Sequence, residues 1–542
     1  MPPVSQIQQP EFSIKDFKDD SYHETKSGKK FIVYHTNWAT YGRGYQVKDI
    51  PIDHIPEIAY AFFNLDANGN ISSGDQWADF DKRFTEESTG VLPVDDWVSS
   101  QPYYGNIGQF MKLKKQGKKF NLTLSIGGWS WSKYFSNAVL PSNRGNFVKN
   151  IIEIFNKYPV FCGLSLDWEY LTNDDVNHGN TGNESRPGDV DNFIEFLKIL
   201  RLNLASDNKS HYKVSVCTSG SPKVVEHMQI QRVEPYVDEF HVMTYDFADY
   251  RFSPPVASHH TNLKKCSYCP FSVEEIVETF LEKDIDPGKI FIGVALYSRG
   301  FGQTSGPGET SSAPTPDKSW EGGIVDYKQL PLPGATEYWD PLCSAPFSYD
   351  PVKKIYNSYD NVRSVYEKCK YIWEKGLGGA LVWESSADHE ITHPRSLINA
   401  LNRYLVHDEK SIIPDIPPLW DTSAPAPVPA PVPAPAPAPA PAPVPVPGPI
   451  GDILDGYIQK WKENTQYALG DVVIHGIRTY KCIQAHKTVS GWSSPDITID
   501  VLWVEDTPVA PETPVAPETP VGRIKAMKIS ATFQISDIIY DD

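Results

Sequence analysis

Gly163-Leu164-Ser165-Leu166-Asp167-Trp168-Glu169-Tyr170 is the stretch on which the fold and the chemistry of this chain turn. Side chains two apart in a strand share a face, so Gly163, Ser165, Asp167 and Glu169 project to one side and Leu164, Leu166 and Trp168 to the other. A strand that is apolar on one side and acidic on the other needs two different environments. A parallel barrel supplies both: helices cover its outer face, while polar groups collect inside and at the C-terminal mouth.

The flanking sequence repeats the pattern. Short apolar runs alternate with longer amphipathic stretches at 31–35, 58–64, 120–125, 161–169, 213–218, 239–244, 289–296 and 379–383, which reads as eight βα units. The expected fold is therefore an α/β, (β/α)8 barrel over residues 29–405, after an N-terminal extension of residues 1–28. A Gly-, Pro-, Ser- and Thr-rich interval, 300–344, interrupts the rhythm between the seventh and eighth strands and reads as an inserted lobe.

Beyond the barrel the composition changes. Residues 406–450 form a Pro-rich linker whose Ala-Pro and Val-Pro alternation predicts a polyproline II spacer. The alternating part reaches on the order of 80 Å. A compact aromatic segment, 451–506, reads as a small β-rich module. A second Pro-rich spacer and tail occupy 507–542, and residues 523–540 alternate as a strand would, so this tail is expected to dock onto a partner chain.

Charge and cysteine content narrow the function. The 542 residues carry 68 acidic and 50 basic side chains, a formal net charge of −18, which repels phosphate backbones and speaks against nucleic-acid partners. No segment approaches the length of a membrane span. The first ten residues lack the basic and apolar regions of a signal peptide. The expectation is a secreted protein exported by another route, by a carrier, or after processing. Seven cysteines are too few for a disulfide framework. His259, His260, Cys266 and Cys269 have zinc-ligand chemistry, but one Cys-x-x-Cys pair without a second is a weak signal; a local disulfide or free thiols explain it, and neither metal nor cofactor is expected.

Two carboxyl groups beside each other at a barrel mouth repel, so one holds its proton near neutral pH and can protonate a glycosidic oxygen. An isolated Asp-x-Glu is more often a structural ion pair. Here Ser125-Ile126-Gly127-Gly128-Trp129-Ser130-Trp131, Met243-Thr244-Tyr245-Asp246 and Trp383-Glu384 end other strands at the same mouth, bringing the aromatic faces on which sugar rings stack.

With these motifs, and Tyr297-x-Arg299-Gly300, the chain resembles the family 18 glycoside hydrolases over most of residues 30–405. The resemblance implies a retaining chitinase acting on β-1,4-linked N-acetylglucosamine, with the substrate's own acetamido carbonyl as nucleophile. It makes Glu169 the general acid, Asp167 the group that orients the acetamido group, and Tyr245 its hydrogen-bond donor. Trp383 would form the floor under the sugar, Asp246 and Arg299 would line the cleft, and Trp129 would stack on the leaving-group side. Tyr34, Ser125, Gly128 and Trp168 complete the expected substrate-binding set.

The chain departs from the family signature Asp-Gly-x-Asp-x-Asp-x-Glu in having Cys162 and Ser165 at its first two Asp positions. Cys162 should point away from Glu169. Ser165 should face inward beside Asp167, removing a carboxyl and lowering the pKa of Asp167. The aromatic module resembles small chitin-binding domains through Trp461, Tyr467, Gly470-Asp471-Val472-Val473, Tyr480-Lys481-Cys482, His486, Trp492, Pro495 and Trp503, with Trp492 and Tyr480 as the stacking candidates. Two rival activities stay open at this stage: a catalytically weak chitin-binding lectin and an endo-β-N-acetylglucosaminidase acting on glycoproteins. The strand-like tail would also suit a chitinase subunit of a larger secreted assembly such as an insecticidal toxin complex.

Overall fold

The computed structural model describes residues 23–84, 104–174, 176–315, 319–409 and 411–420, together with six short strands between 459 and 505. Two compact units result, the first within residues 1–432 and the second within 433–542.

In the first unit eight parallel strands close on themselves: β1 (Lys30–Thr36), β2 (Glu57–Leu65), β3 (Asn121–Gly127), β4 (Gly163–Asp167), β5 (Lys213–Thr218), β6 (Glu239–Val242), β7 (Ile290–Ala295) and β8 (Gly379–Trp383). Each pairs with the next, and β1 pairs with both β2 and β8, which closes the barrel. Closure leaves no exposed edge among these strands. The expected barrel with its insertion is thus the fold. β4 ends at Asp167, so Glu169 stands just past the strand, on the loop at the mouth.

Side-chain alternation sorts the core into two. Leu164, Leu166 and Trp168 point outward and pack with Phe135, Phe193 and Ile126 in the layer between barrel and helices. Tyr34, Ala59, Phe62, Cys217, Phe291 and Leu381 fill the barrel itself. At the opposite end from the mouth, Lys30 lies between Glu57 (2.5 Å) and Glu239 (2.6 Å). One ammonium is shared by two carboxylates, which Thr123 on Glu57 and His241 on Glu239 help to satisfy, and removing Lys30 would leave buried charge unpaired.

The insertion between β7 and β8 is larger than the sequence indicates. Six strands from Tyr297–Gly302 to Ile355–Ser358 form an antiparallel sheet. Its own small core contains Phe301, Phe347, Tyr349 and Tyr356. The Gly-, Pro-, Ser- and Thr-rich composition ends near 344, although the later strands, Ala345–Asp350 and Ile355–Ser358, are buried in the same sheet. The second unit has a four-stranded sheet containing Val472–His475 and Arg478–Cys482, and a two-stranded pairing of Gln466–Tyr467 with His486–Lys487. It is β-rich, as expected. Residues 1–22, residues 421–450 of the linker, the second spacer and the tail lie outside the described residues, whereas the first part of the linker is packed on the inserted sheet, with Trp420 against Phe347 and Tyr349.

Candidate active site

The turn after β3 sets the position of the acidic strand end. Gly127 and Gly128 have φ of 106° and 80°, a region closed to most side chains. A Cβ on Gly127 would sit 2.3 Å from the Asp167 carbonyl oxygen, and one on Gly128 would meet the Phe62 ring at 2.7 Å. This close approach lets the Gly128 N–H donate to the Asp167 carbonyl at 2.8 Å. Ser132 adds a second tie: its hydroxyl donates to the Asp167 carbonyl (3.0 Å) and accepts the Glu169 N–H (2.8 Å). Asn183 donates to the Glu169 carbonyl at 2.9 Å. Asp167 and Glu169 are therefore fixed through their backbone.

Above them lies a cleft of about 910 Å³ at the C-terminal ends of the strands. Trp38, Phe62, Trp129, Trp131, Tyr245 and Trp383 supply its aromatic wall. Phe62 stacks on Trp383 with ring centroids 5.7 Å apart, holding the Trp383 indole as a floor. Trp129 is half-exposed at the rim. Arg299 reaches in from the inserted sheet, its Nε donating to Asp246 (2.7 Å) and its Nη1 to Asp249 (2.7 Å).

Burial sets the electrostatics. The Asp167 carboxyl is raised to about 7 by its removal from water, although a hydrogen bond from the Cys217 thiol opposes the rise. Glu169 is pushed well above the usual carboxylate range, first by burial and then by the charge of Asp167. The two titrate as a pair that gives up its first proton far more easily than its second. Asp246 behaves oppositely: burial alone would raise it, but Arg299 and His260 hold it well below the ordinary value.

Beneath Asp167 runs a neutral chain. The Tyr34 hydroxyl lies 3.1 Å from Ser165 Oγ, 3.1 Å from Cys217 Sγ and 2.9 Å from His241 Nδ1. Ser165 thus faces inward, and its hydroxyl is committed to Tyr34 and Cys217. Asp167 Oδ1 is buried and has no hydrogen-bond partner among the described residues.

The structure brings Tyr34, Trp129, Asp167, Glu169, Tyr245, Asp246, Arg299 and Trp383 to one cleft. Three expected lining residues do not belong to its surface, and this is a correction. Trp168 is buried on the outer face of the barrel, stacked on Phe135 at 5.4 Å, because strand alternation turns it away from Glu169. Ser125 is fully buried below the mouth. Gly128 acts through its backbone, as above. Tyr480 lies on the strand Arg478–Cys482, but its side chain and all of Trp492 are outside the described residues.

In the His259, His260, Cys266 and Cys269 set, His260 stands apart, whereas Cys266, Cys269 and His259 gather around Cys343. Cys266 is disulfide-bonded to Cys343, 77 residues away, His260 faces Asp246, with Nδ1 3.7 Å from its carboxylate, and His259 faces Asp340 at 3.3 Å. The positioning residues Ser132, Cys217 and His260 escaped sequence reasoning. Cys217 alone had a signal, since alternation along β5 puts it on the same inward face as Ser215.

Comparison with known proteins agrees with this geometry. The sequence profile of Glycosyl hydrolases family 18 matches residues 30–388. The chain belongs to that family. Carbohydrate-binding module family 5/12 matches residues 460–503. Endochitinase 1 of Metarhizium robertsii is 32% identical over 382 residues, covering 69% of this chain and 84% of the relative. The catalytic domain of chitinase B from Arthrobacter TAD20 superposes with a TM-score of 0.64 at 25% identity, covering 73% of this chain and all of that domain. A chitinase fitted into the Yersinia entomophaga toxin complex shares the fold, with a TM-score of 0.60 at 23% identity over 70% of this chain and 86% of that one.

The placement of Trp168 is checked by truncation. Trp168→Ala should destabilise the catalytic unit by about 3–5 kcal/mol, read as a lower denaturation midpoint. A variant of unchanged stability with weakened oligosaccharide binding would contradict it.

Proposed function

We propose that this protein is a chitinase that hydrolyses β-1,4 bonds between N-acetylglucosamine units with retention. The observation that carries this reading is the Glu169 carboxyl, buried beside Asp167 at the base of an aromatic cleft and pushed above the usual carboxylate range by burial and by that neighbour. Glu169 donates its proton to the leaving glycosidic oxygen. The substrate's N-acetyl carbonyl oxygen attacks the anomeric carbon, and Asp167 receives the acetamido N–H and stabilises the positive charge that develops there. Tyr245 donates to the acetamido oxygen. Trp383 carries the apolar face of the distorted sugar, Asp246 and Arg299 line the cleft, and Trp129 stacks on the leaving-group side. Water then attacks the anomeric carbon with Glu169 as base.

The likeness of residues 460–503 to carbohydrate-binding modules supports a division of labour in which 29–405 cleaves, 406–450 tethers, and 451–506 binds chitin through Trp492 and Tyr480. Tethering raises the effective concentration of the active site at an insoluble surface. The substrate places the protein outside the cell. Residues 507–542 serve as a spacer and a tail that docks on a partner in a larger secreted assembly; deleting them should release that partner, and unchanged size-exclusion behaviour of native material would contradict this assignment.

Hydrolysis of a chromogenic chitin oligomer should fall by at least about a thousandfold in Glu169→Gln. A lectin would bind the oligomer without cleaving it, and an endo-β-N-acetylglucosaminidase would release N-glycans faster than it cuts chitin.

The pH dependence follows from the pair. Activity requires Asp167 ionised and Glu169 protonated. Below about 7 Asp167 takes up a proton, so kcat/KM falls on the acid side; well above neutrality Glu169 loses its proton and kcat/KM falls again. In Ser165→Asp a second carboxyl beside Asp167 raises its pKa, and the acid limb should move to higher pH. An unmoved limb would contradict the account of Ser165.

A further inference from the structure

At the rim of the cleft, away from the acid pair, one carboxylate oxygen stands between two imidazoles. Asp174 Oδ2 is 3.3 Å from His178 Nε2 and 3.2 Å from His227 Nδ1. The two rings lie side by side, centroids 5.6 Å apart and 28° from parallel, and all three ligand atoms lie within 4.8 Å of one another. Asp174 and His178 belong to the loop that follows β4, whereas His227 belongs to the helix Pro222–Met228 that follows β5. Their convergence therefore comes from the fold and not from proximity in sequence.

The geometry points to a binding site for a divalent cation of the zinc type, held by His178 Nε2, His227 Nδ1 and Asp174 Oδ2. Zinc bonds nitrogen and carboxylate oxygen at about 2.0–2.1 Å in a tetrahedron, whose ligand-to-ligand edge is then about 3.3–3.4 Å. The two Asp174–His separations, 3.3 and 3.2 Å, are compatible with that edge. Two nitrogen donors select zinc, nickel or copper over calcium and magnesium, which prefer all-oxygen sites. Asp174 Oδ1 accepts the Val176 N–H at 3.3 Å, which orients the carboxylate and leaves Oδ2 for the ion. The three side chains are partly exposed, so an ion enters without unfolding, and a fourth position stays open to water.

The site has a mechanical link to the acid pair. His178 lines the cleft, and its neighbour Gly179 packs so closely under the Glu169 carbonyl that a Cβ there would collide with it. The same loop carries Asn183, which holds that carbonyl at 2.9 Å. A bound ion would pin this loop to the helix after β5 and so restrain the backbone on which Glu169 rides.

The test uses the full untagged chain and zinc alone. Calorimetric titration should show one more zinc bound per chain in the wild type than in His227→Ala or in Asp174→Asn, or at least a tenfold weaker affinity in each variant. Zinc should raise the thermal midpoint of the wild type more than that of either variant. Both variants alter partly exposed side chains, and an unperturbed circular dichroism spectrum confirms that they fold. Zinc stoichiometry, affinity and thermal shift identical in the wild type and both variants would overturn the assignment, whatever the activity on chitin.

Discussion

Two carboxyl groups two residues apart, held at the end of a buried strand, cannot both be charged. That constraint organises the site. Charging Asp167 and Glu169 together would place like charges in a region from which water is largely removed, so the pair retains one proton to well above neutral pH. The proton belongs on Glu169, the group pushed up both by burial and by its neighbour. The Gly127–Gly128 turn, the Ser132 hydroxyl and Asn183 fix the pair through its backbone, while the Cys217 thiol and the Tyr170 hydroxyl bond the carboxyl groups of Asp167 and Glu169 themselves. Preorganisation of this kind places the cost of orienting charge in folding, before the reaction begins.

What lies beneath the pair is neutral where the family signature is acidic. Ser165, Cys217 and Tyr34 are uncharged, and their hydrogen bonds lead to His241, which in turn contacts Glu239 and through it the Lys30 triad. The expected consequence of losing a carboxyl at position 165 was a lower pKa for Asp167. Burial outweighs any such relief, since Asp167 still stands at about 7. The Cys217 thiol supplies the hydrogen bond to Asp167, and a thiol is a weak donor, so it counteracts burial only in part.

Much of this was legible in the sequence because period-2 alternation is a local property. The face shared by Ser165, Asp167 and Glu169 follows from spacing alone, and the same rule, applied consistently, places Trp168 outside the barrel, where it is found. The barrel order and the convergence of Tyr245, Asp246, Arg299 and Trp383 followed from motifs at the ends of successive strands. Other features depend on distant partners. The Cys266–Cys343 bond joins residues 77 apart, and cysteine spacing carries no information on connectivity. The inserted sheet extends past 344 because its last strands pair with Tyr297–Gly302 and with each other, partners that composition does not reveal. Ser132 carries no motif; its role exists only once the turn after β3 meets the end of β4.

The central claim is that Glu169 keeps its proton after Asp167 has lost its own. Infrared difference spectroscopy of the protonated carboxyl C=O band, comparing the wild type with Glu169→Gln at a pH well above the value of about 7 at which Asp167 ionises, measures it directly. The account predicts a protonated-carboxyl band in the wild type that is missing from the variant. Identical spectra in that region would show that Glu169 is ionised and would contradict it.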